Sequence, residues 1–103
     1  MICITRGMRF EWDENKVAQF EAERGIRLSD AEEVFYDARA IDFYDEFYSI
    51  SEDRYVIIGL SGKGLLTVVY TVREDEGEEV YRIITAWHST DREEGLYEKR
   101  RAF

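Results

Sequence analysis

Near residue 40 the spacing of apolar side chains changes from the three-and-four rhythm of a helix to the alternation of a strand, and helical spacing returns only at about residue 90. Two helices are expected ahead of that change. Asp13 caps the first, whose buried face uses Val17 and Phe20 with Ala18 and Ala22, and Gly25 supplies the left-handed residue that ends it. Ser29 and Glu32 have the spacing of a capping box, and Ala31, Val34 and Phe35 carry a second helix to about Asp37. After the change, Ala40 to Tyr44, Tyr55 to Leu60, Leu65 to Arg73 and Val80 to Trp87 read as strands, and Phe10 to Trp12 as a shorter one before the helices. Gly62-Lys63-Gly64 is a turn, and the acidic run from Glu74 to Glu79 closes a hairpin.

A second capping box, Thr90 with Glu93, opens a last helix with acidic residues in its first turn and Lys99, Arg100 and Arg101 in its last. Gly95 costs that helix about 1 kcal/mol relative to alanine, so it needs packing through Leu96, Tyr97 and Phe103. The predicted class is α+β: a small, mostly antiparallel sheet with two N-terminal helices and one C-terminal helix. A long Rossmann-type alternation is excluded.

With 103 residues the chain suits one domain, residues 1–103, of which 1–8 are read either as part of the fold or as an N-terminal extension. No apolar run approaches the roughly 18 residues of a membrane span, and MICITRG lacks a signal peptide's apolar segment, so the expected location is cytoplasmic, away from membranes. Cys3 and His88 are the only residues of their kinds; neither an internal disulfide nor a Cys/His zinc site is expected, nor any other metal or cofactor. The formal net charge of −9 repels phosphate backbones, so contact with nucleic acid requires a local basic patch. The same charge suits a basic partner.

No dinucleotide fingerprint, P-loop, zincin motif or nucleophile elbow is present. The chemistry-bearing candidates gather near the expected hairpin and its flanking helix: Arg73 and Arg82 on neighbouring strands, then His88, Arg92 and Glu93. Cleavage of RNA without a metal takes a proton from the 2′-hydroxyl, gives one to the leaving oxygen and stabilises charge on phosphorus. Arginines with an imidazole and a carboxylate can do this. The plainer alternative is that His88 is solvated beside a helix cap and the arginines pair with nearby carboxylates. Lys16, on the first turns of helix one, is either a solvent-facing charge or a substrate contact. Trp12 and Trp87 are core aromatics or, where exposed near an arginine, platforms for a base. The aromatic and acidic stretch DFYDEFYSI, with Tyr44, Phe47 and Tyr48, is a partner-binding patch or a cover over the sheet.

Taken in order, FEWDENK (10–16), RGIRLSDAEEVFYD (24–37), EDRYVIIGLS (52–61), LLTVVYTVR (65–73) and YRIITAWHSTDREEGLYEKR (81–100) resemble the BrnT toxins of bacterial type II toxin-antitoxin systems. The resemblance implies a RelE-like fold and metal-independent RNA cleavage that slows translation. It also implies neutralisation by a basic ribbon-helix-helix antitoxin of the BrnA type, with DNA reached only through the toxin-antitoxin complex. Lys16, Gly25, Phe35, Arg54, Gly59, Tyr70, Arg73, Arg82, Arg92, Glu93 and Tyr97 match the family pattern. The candidate catalytic residues are Arg73, Arg82 and Glu93, which match the family, with His88, which stands in for the family's missing histidine; Lys16 and Arg92 are the candidate substrate contacts. The pattern is broken where a Lys-His-Gly is usual and Glu23-Arg24-Gly25 stands, and where an arginine is usual and Trp87 stands. Asp91 and Glu94 also make the following stretch more acidic than is typical. A catalytically weakened binding module, acting through its antitoxin and operon repression, is therefore the alternative to a working ribonuclease.

Overall fold

A computed structural model describes residues 2–5, 7–46 and 51–101, with 2–5, 100 and 101 described by backbone alone. Its elements are β1 (Ile2–Thr5), β2 (Met8–Trp12), α1 (Glu14–Arg24), α2 (Leu28–Val34), β3 (Ile41–Tyr44), β4 (Tyr55–Ser61), β5 (Gly64–Asp75), β6 (Glu78–His88) and α3 (Asp91–Arg101). The expectations for Phe47, Tyr48 and Phe103, and for the side chains of Arg100 and Arg101, lie outside the described residues. No described helix is long and apolar enough to cross a membrane.

The class is α+β, and the six strands run in the order β1-β2-β6-β5-β4-β3. The expected antiparallel sheet needs one correction: β2 pairs with β6 in parallel, Glu11 opposite Arg82, which makes the sheet mixed. Tight turns at 62–63 and 76–77 force β4, β5 and β6 antiparallel, whereas β2 reaches β6 only after two helices and three strands, and so long a connection permits the parallel direction. Residues 2–5 extend the sheet beyond β2 as an edge strand.

Local signals set most boundaries. Asp13 accepts the Asn15 N–H at 2.9 Å to open α1, and Gly25 (φ 65°) closes it in the left-handed region. The box expected at Ser29 and Glu32 is displaced: Arg27 is the N-cap residue of α2, and Asp30 accepts its N–H at 3.0 Å. Arg27 is not a residue that the capping-box pattern anticipates, and Asp30 and Glu32 are both buried. The acidic connection shrinks to a two-residue turn, Glu76-Gly77, with φ of 51° and 80°, the twist that a tight hairpin requires. Its other four acidic residues are the last and first residues of β5 and β6.

Helices α1 and α2 cover one face of the sheet. Phe20, Ile26, Ala31 and Val34 pack there on Phe10, Trp12, Ile57, Val68, Tyr70, Ile83 and Ala86. Ala18 and Ala22, expected on that face, are exposed. Helix α3 lies on the other face, where Tyr97 meets Ile41, Val56, Ile58 and Val69; Leu96, expected to share this packing, is 43 % exposed. Because α3 is short and starts only after β6 ends, it covers one end of its face and leaves the other open.

Candidate functional site

The open end of the α3 face carries the arginines. Side chains directly opposite one another in a ladder share a face, and Thr71 faces Arg82, while Arg73 faces Val80 one pleat further along. Glu11, opposite Arg82 on β2, points the same way. Its carboxylate accepts Arg73 Nε at 2.6 Å, and also accepts hydrogen bonds from Arg73 Nη2 and Arg82 Nη1. The Glu11 side chain is 14 % exposed and those of the arginines about 40 %, so the guanidinium pair is presented to solvent with an acid beneath it. Burial alone pushes the Glu11 carboxyl up, but the hydrogen bonds and charges of Arg73 and Arg82 outweigh it and hold the carboxyl below its ordinary value.

Further along the same face a cavity of about 470 Å³ opens between the strands and the first turn of α3. Phe43, Val56, Val69, Ile84 and Trp87 form its apolar wall, and Arg54, Thr85 and Glu93 are among its polar lining. The register slips between Val69 and Tyr70, so that Val69 pairs with Thr85 and Tyr70 with Ile83. The extra residue on β6 is Ile84, and this bulge brings Arg82 and Thr85 onto one face although their numbers differ in parity. Glu93 accepts the Trp87 indole N–H at 3.0 Å and the Thr90 N–H at 2.8 Å, while Thr90 Oγ1 accepts the Glu93 N–H. Burial raises its carboxyl; those donors outweigh the effect and leave it lowered. Glu93 is the acid of the α3 capping box, and it also fixes the Trp87 ring.

The predicted set is therefore divided. Arg73 and Arg82 come together as expected. Glu93 and the exposed Arg92 belong to the start of α3, on the same side of the sheet. Lys16 is exposed on α1, whose packing face lies against the opposite side. His88 does not join the arginines. It pairs with Leu66 in the ladder, on the α1 and α2 side, and its Nε2 lies 2.8 Å from the Arg24 carbonyl, where the protonated nitrogen donates to the end of α1. Six residues of β6 separate it from Arg82, roughly 20 Å at strand rise. Arg24 completes this contact by donating to the Ala86 carbonyl at 2.8 Å and to Thr85 Oγ1 at 3.0 Å. The chain's imidazole thus stands beside the helix end where the family resemblance expects one.

Glu11 is the participant that sequence reasoning missed. The alternation Phe10-Glu11-Trp12 contained the signal: two aromatic side chains face the helices, so the acid between them faces the other way.

No curated protein matches the chain. A family model does: residues 12–93 match that of the ribonuclease toxin BrnT of type II toxin-antitoxin systems, and the chain belongs to that family.

Proposed function

We propose that this protein is a metal-independent ribonuclease toxin that slows translation, and that the open end of the α3 face is where RNA is cut. Further parts of the reading are a RelE-like fold, a cytoplasmic location, a single domain, and neutralisation by a basic ribbon-helix-helix antitoxin whose complex with the toxin contacts operator DNA. The observation that carries it is the convergence of Arg73 and Arg82 on Glu11.

In this reading the scissile phosphate takes the place of the Glu11 carboxylate between the guanidiniums, whose forked donors match phosphate oxygens. Glu11, released from its partners, is left with the burial that raises its proton affinity and becomes the base for the 2′-hydroxyl. The 2′-oxygen attacks phosphorus, the two arginines hold the added negative charge, and the 5′-oxygen leaves with a proton from water. The products are a 2′,3′-cyclic phosphate and a 5′-hydroxyl. The neighbouring cavity receives a base against Trp87. Lys16, Arg92 and Glu93 act outside the chemical step in this scheme, and His88 fixes the end of α1.

The test is cleavage of a labelled single-stranded RNA, with and without EDTA. Arg82→Ala is expected to abolish cutting and Glu11→Gln to lower it about 10²- to 10⁴-fold, with EDTA and His88→Ala changing it little. A full loss in His88→Ala, with the melting temperature unchanged, would move the chemistry to the Arg24 end of the sheet. A second reading, the binding module without cleavage, is favoured by the same ion pairs, because Glu11 already neutralises the cations that RNA needs. Intact RNA and growing cells on induced expression would select it.

A further inference from the structure

The two faces of the sheet differ in charge as well as in cover. Arg9, Arg54, Arg73 and Arg82 lie on the α3 face together with Glu11, Asp75 and Glu78, while Asp42, Glu74 and Glu79 alternate onto the helix-side face with no arginine or lysine among them. Cover by α1 and α2 on that second face ends at Phe35, which packs edge-on against the buried Tyr70 at 5.0 Å and leaves the rim beyond it open. There Tyr44, Tyr55 and Tyr70 stand directly opposite one another across β3, β4 and β5. Tyr55 stacks on Tyr70 at 5.6 Å, and Tyr81 lies 6.0 Å from Tyr70. Together with Asp42 and Glu79 they line a surface depression of about 560 Å³.

Like charges placed opposite each other in a ladder destabilise it, and the β5–β6 hairpin end has two such pairs, Asp75 with Glu78 and Glu74 with Glu79. The first is compensated, because Arg9 bonds both members at 3.0 and 3.2 Å. The second has no ion pair with any lysine or arginine among the described residues, and Glu79 accepts only the Tyr81 hydroxyl at 3.2 Å. Asp42 is similarly engaged by the Tyr70 hydroxyl. A row of tyrosine faces edged by carboxylates attracts a cation through both ring quadrupole and charge. It repels phosphate.

We propose that this tyrosine-lined depression is the docking surface for a basic protein segment, which lays arginine or lysine side chains over Tyr44, Tyr55 and Tyr81 and beside Asp42 and Glu79. The inference rests on the reading that the chain has a basic protein partner, and it adds where that partner sits. The surface lies on the opposite side of the sheet from Arg73 and Arg82, so this segment anchors the partner without itself covering the arginines.

A fluorescein-labelled octa-arginine peptide, titrated into the full chain by anisotropy, tests this without the natural partner. The double variant Asp42→Asn/Glu79→Gln should weaken binding at least tenfold, and Tyr44→Ala, which removes a 45 % exposed ring, several-fold without unfolding the chain. A charge-matched control on the helices, Glu23→Gln/Glu94→Gln, should change it less than twofold. Equal weakening in the control would overturn the proposal in favour of bulk charge, and displacement of the peptide by a single-stranded RNA would overturn it in favour of a base-stacking surface. Glu79→Gln alone should raise the melting temperature of the free protein. Failure of the ribonuclease reading registers separately, as intact RNA with the peptide titration unchanged.

Discussion

Single carboxylates hold much of this fold together, and their titration is its most direct readout. Glu11 and Glu93 lie below their ordinary value of 4.5, and Asp37 below 3.8, because in each case donors outweigh burial. For Asp37 those donors are the Tyr97 hydroxyl at 2.7 Å and the N–H groups of Leu60 and Arg39. A depressed carboxylate contributes stability that is complete above the unfolded value and is lost as pH falls through the folded one. Asp42 is raised by burial and works in the opposite sense. Three groups against one predict a melting temperature that is flat near neutrality and falls below about pH 4.5. Tyr97→Phe should shrink that acid loss and cost about 1.5–3 kcal/mol at pH 7, the usual range for a hydrogen bond to a charged group. Melts from pH 7 to pH 3 check both. At this scale the sequence was readable where a residue acts on its neighbours, as Asp13, Gly25 and Glu93 do. It was silent on Glu11, Asp37 and His88, whose partners lie about 60 residues or more away for the first and last and come from β4, α3 and the adjacent turn for Asp37.

Elements were legible in type before they were legible in position. The change of period placed all three helices and the strands from β3 onward, because alternation follows directly from one buried and one open face. Their ends shifted by one to three residues, as at the start of α2 and along the acidic hairpin. Glycine shows what spacing alone does not convey. Gly59 sits in β4 beneath α2, and a Cβ built there would stand 2.9 Å from Val34 Cγ1 and 3.0 Å from the Val34 carbonyl oxygen. Gly59→Ala should therefore push α2 off the sheet and cost about 1–3 kcal/mol, as overpacking does. Urea unfolding measures it, and an unchanged midpoint would mean that α2 is seated more loosely than the contact implies.

For the whole molecule, the net charge of −9 misleads unless it is resolved by face. The sequence presents one acidic chain; the pleat sorts it into a face where arginines and carboxylates are paired and a tyrosine face whose carboxylates have no cation beside them among the described residues. Periodicity contained that division, but reading it required the register, and the parallel pairing of β2 with β6 had no local signal at all. The division predicts a weak salt response. With Arg73 and Arg82 as the phosphate contacts, the logarithm of RNA affinity should fall against the logarithm of salt with a slope of about −1.4, two contacts at −0.7 each for a single strand. A slope beyond about −4 would mean that cations elsewhere, Lys16 or Arg92 among them, take part.

The parallel insertion of β2 also bears on how such a protein is made. Glu11 is separated from Arg82 by 71 residues, and β2 reaches its place only beside a formed β6. A chain emerging from the ribosome holds its first strand early and the arginine that completes the site late. The nascent polypeptide is therefore without its assembled arginine face until most of it has left the exit tunnel.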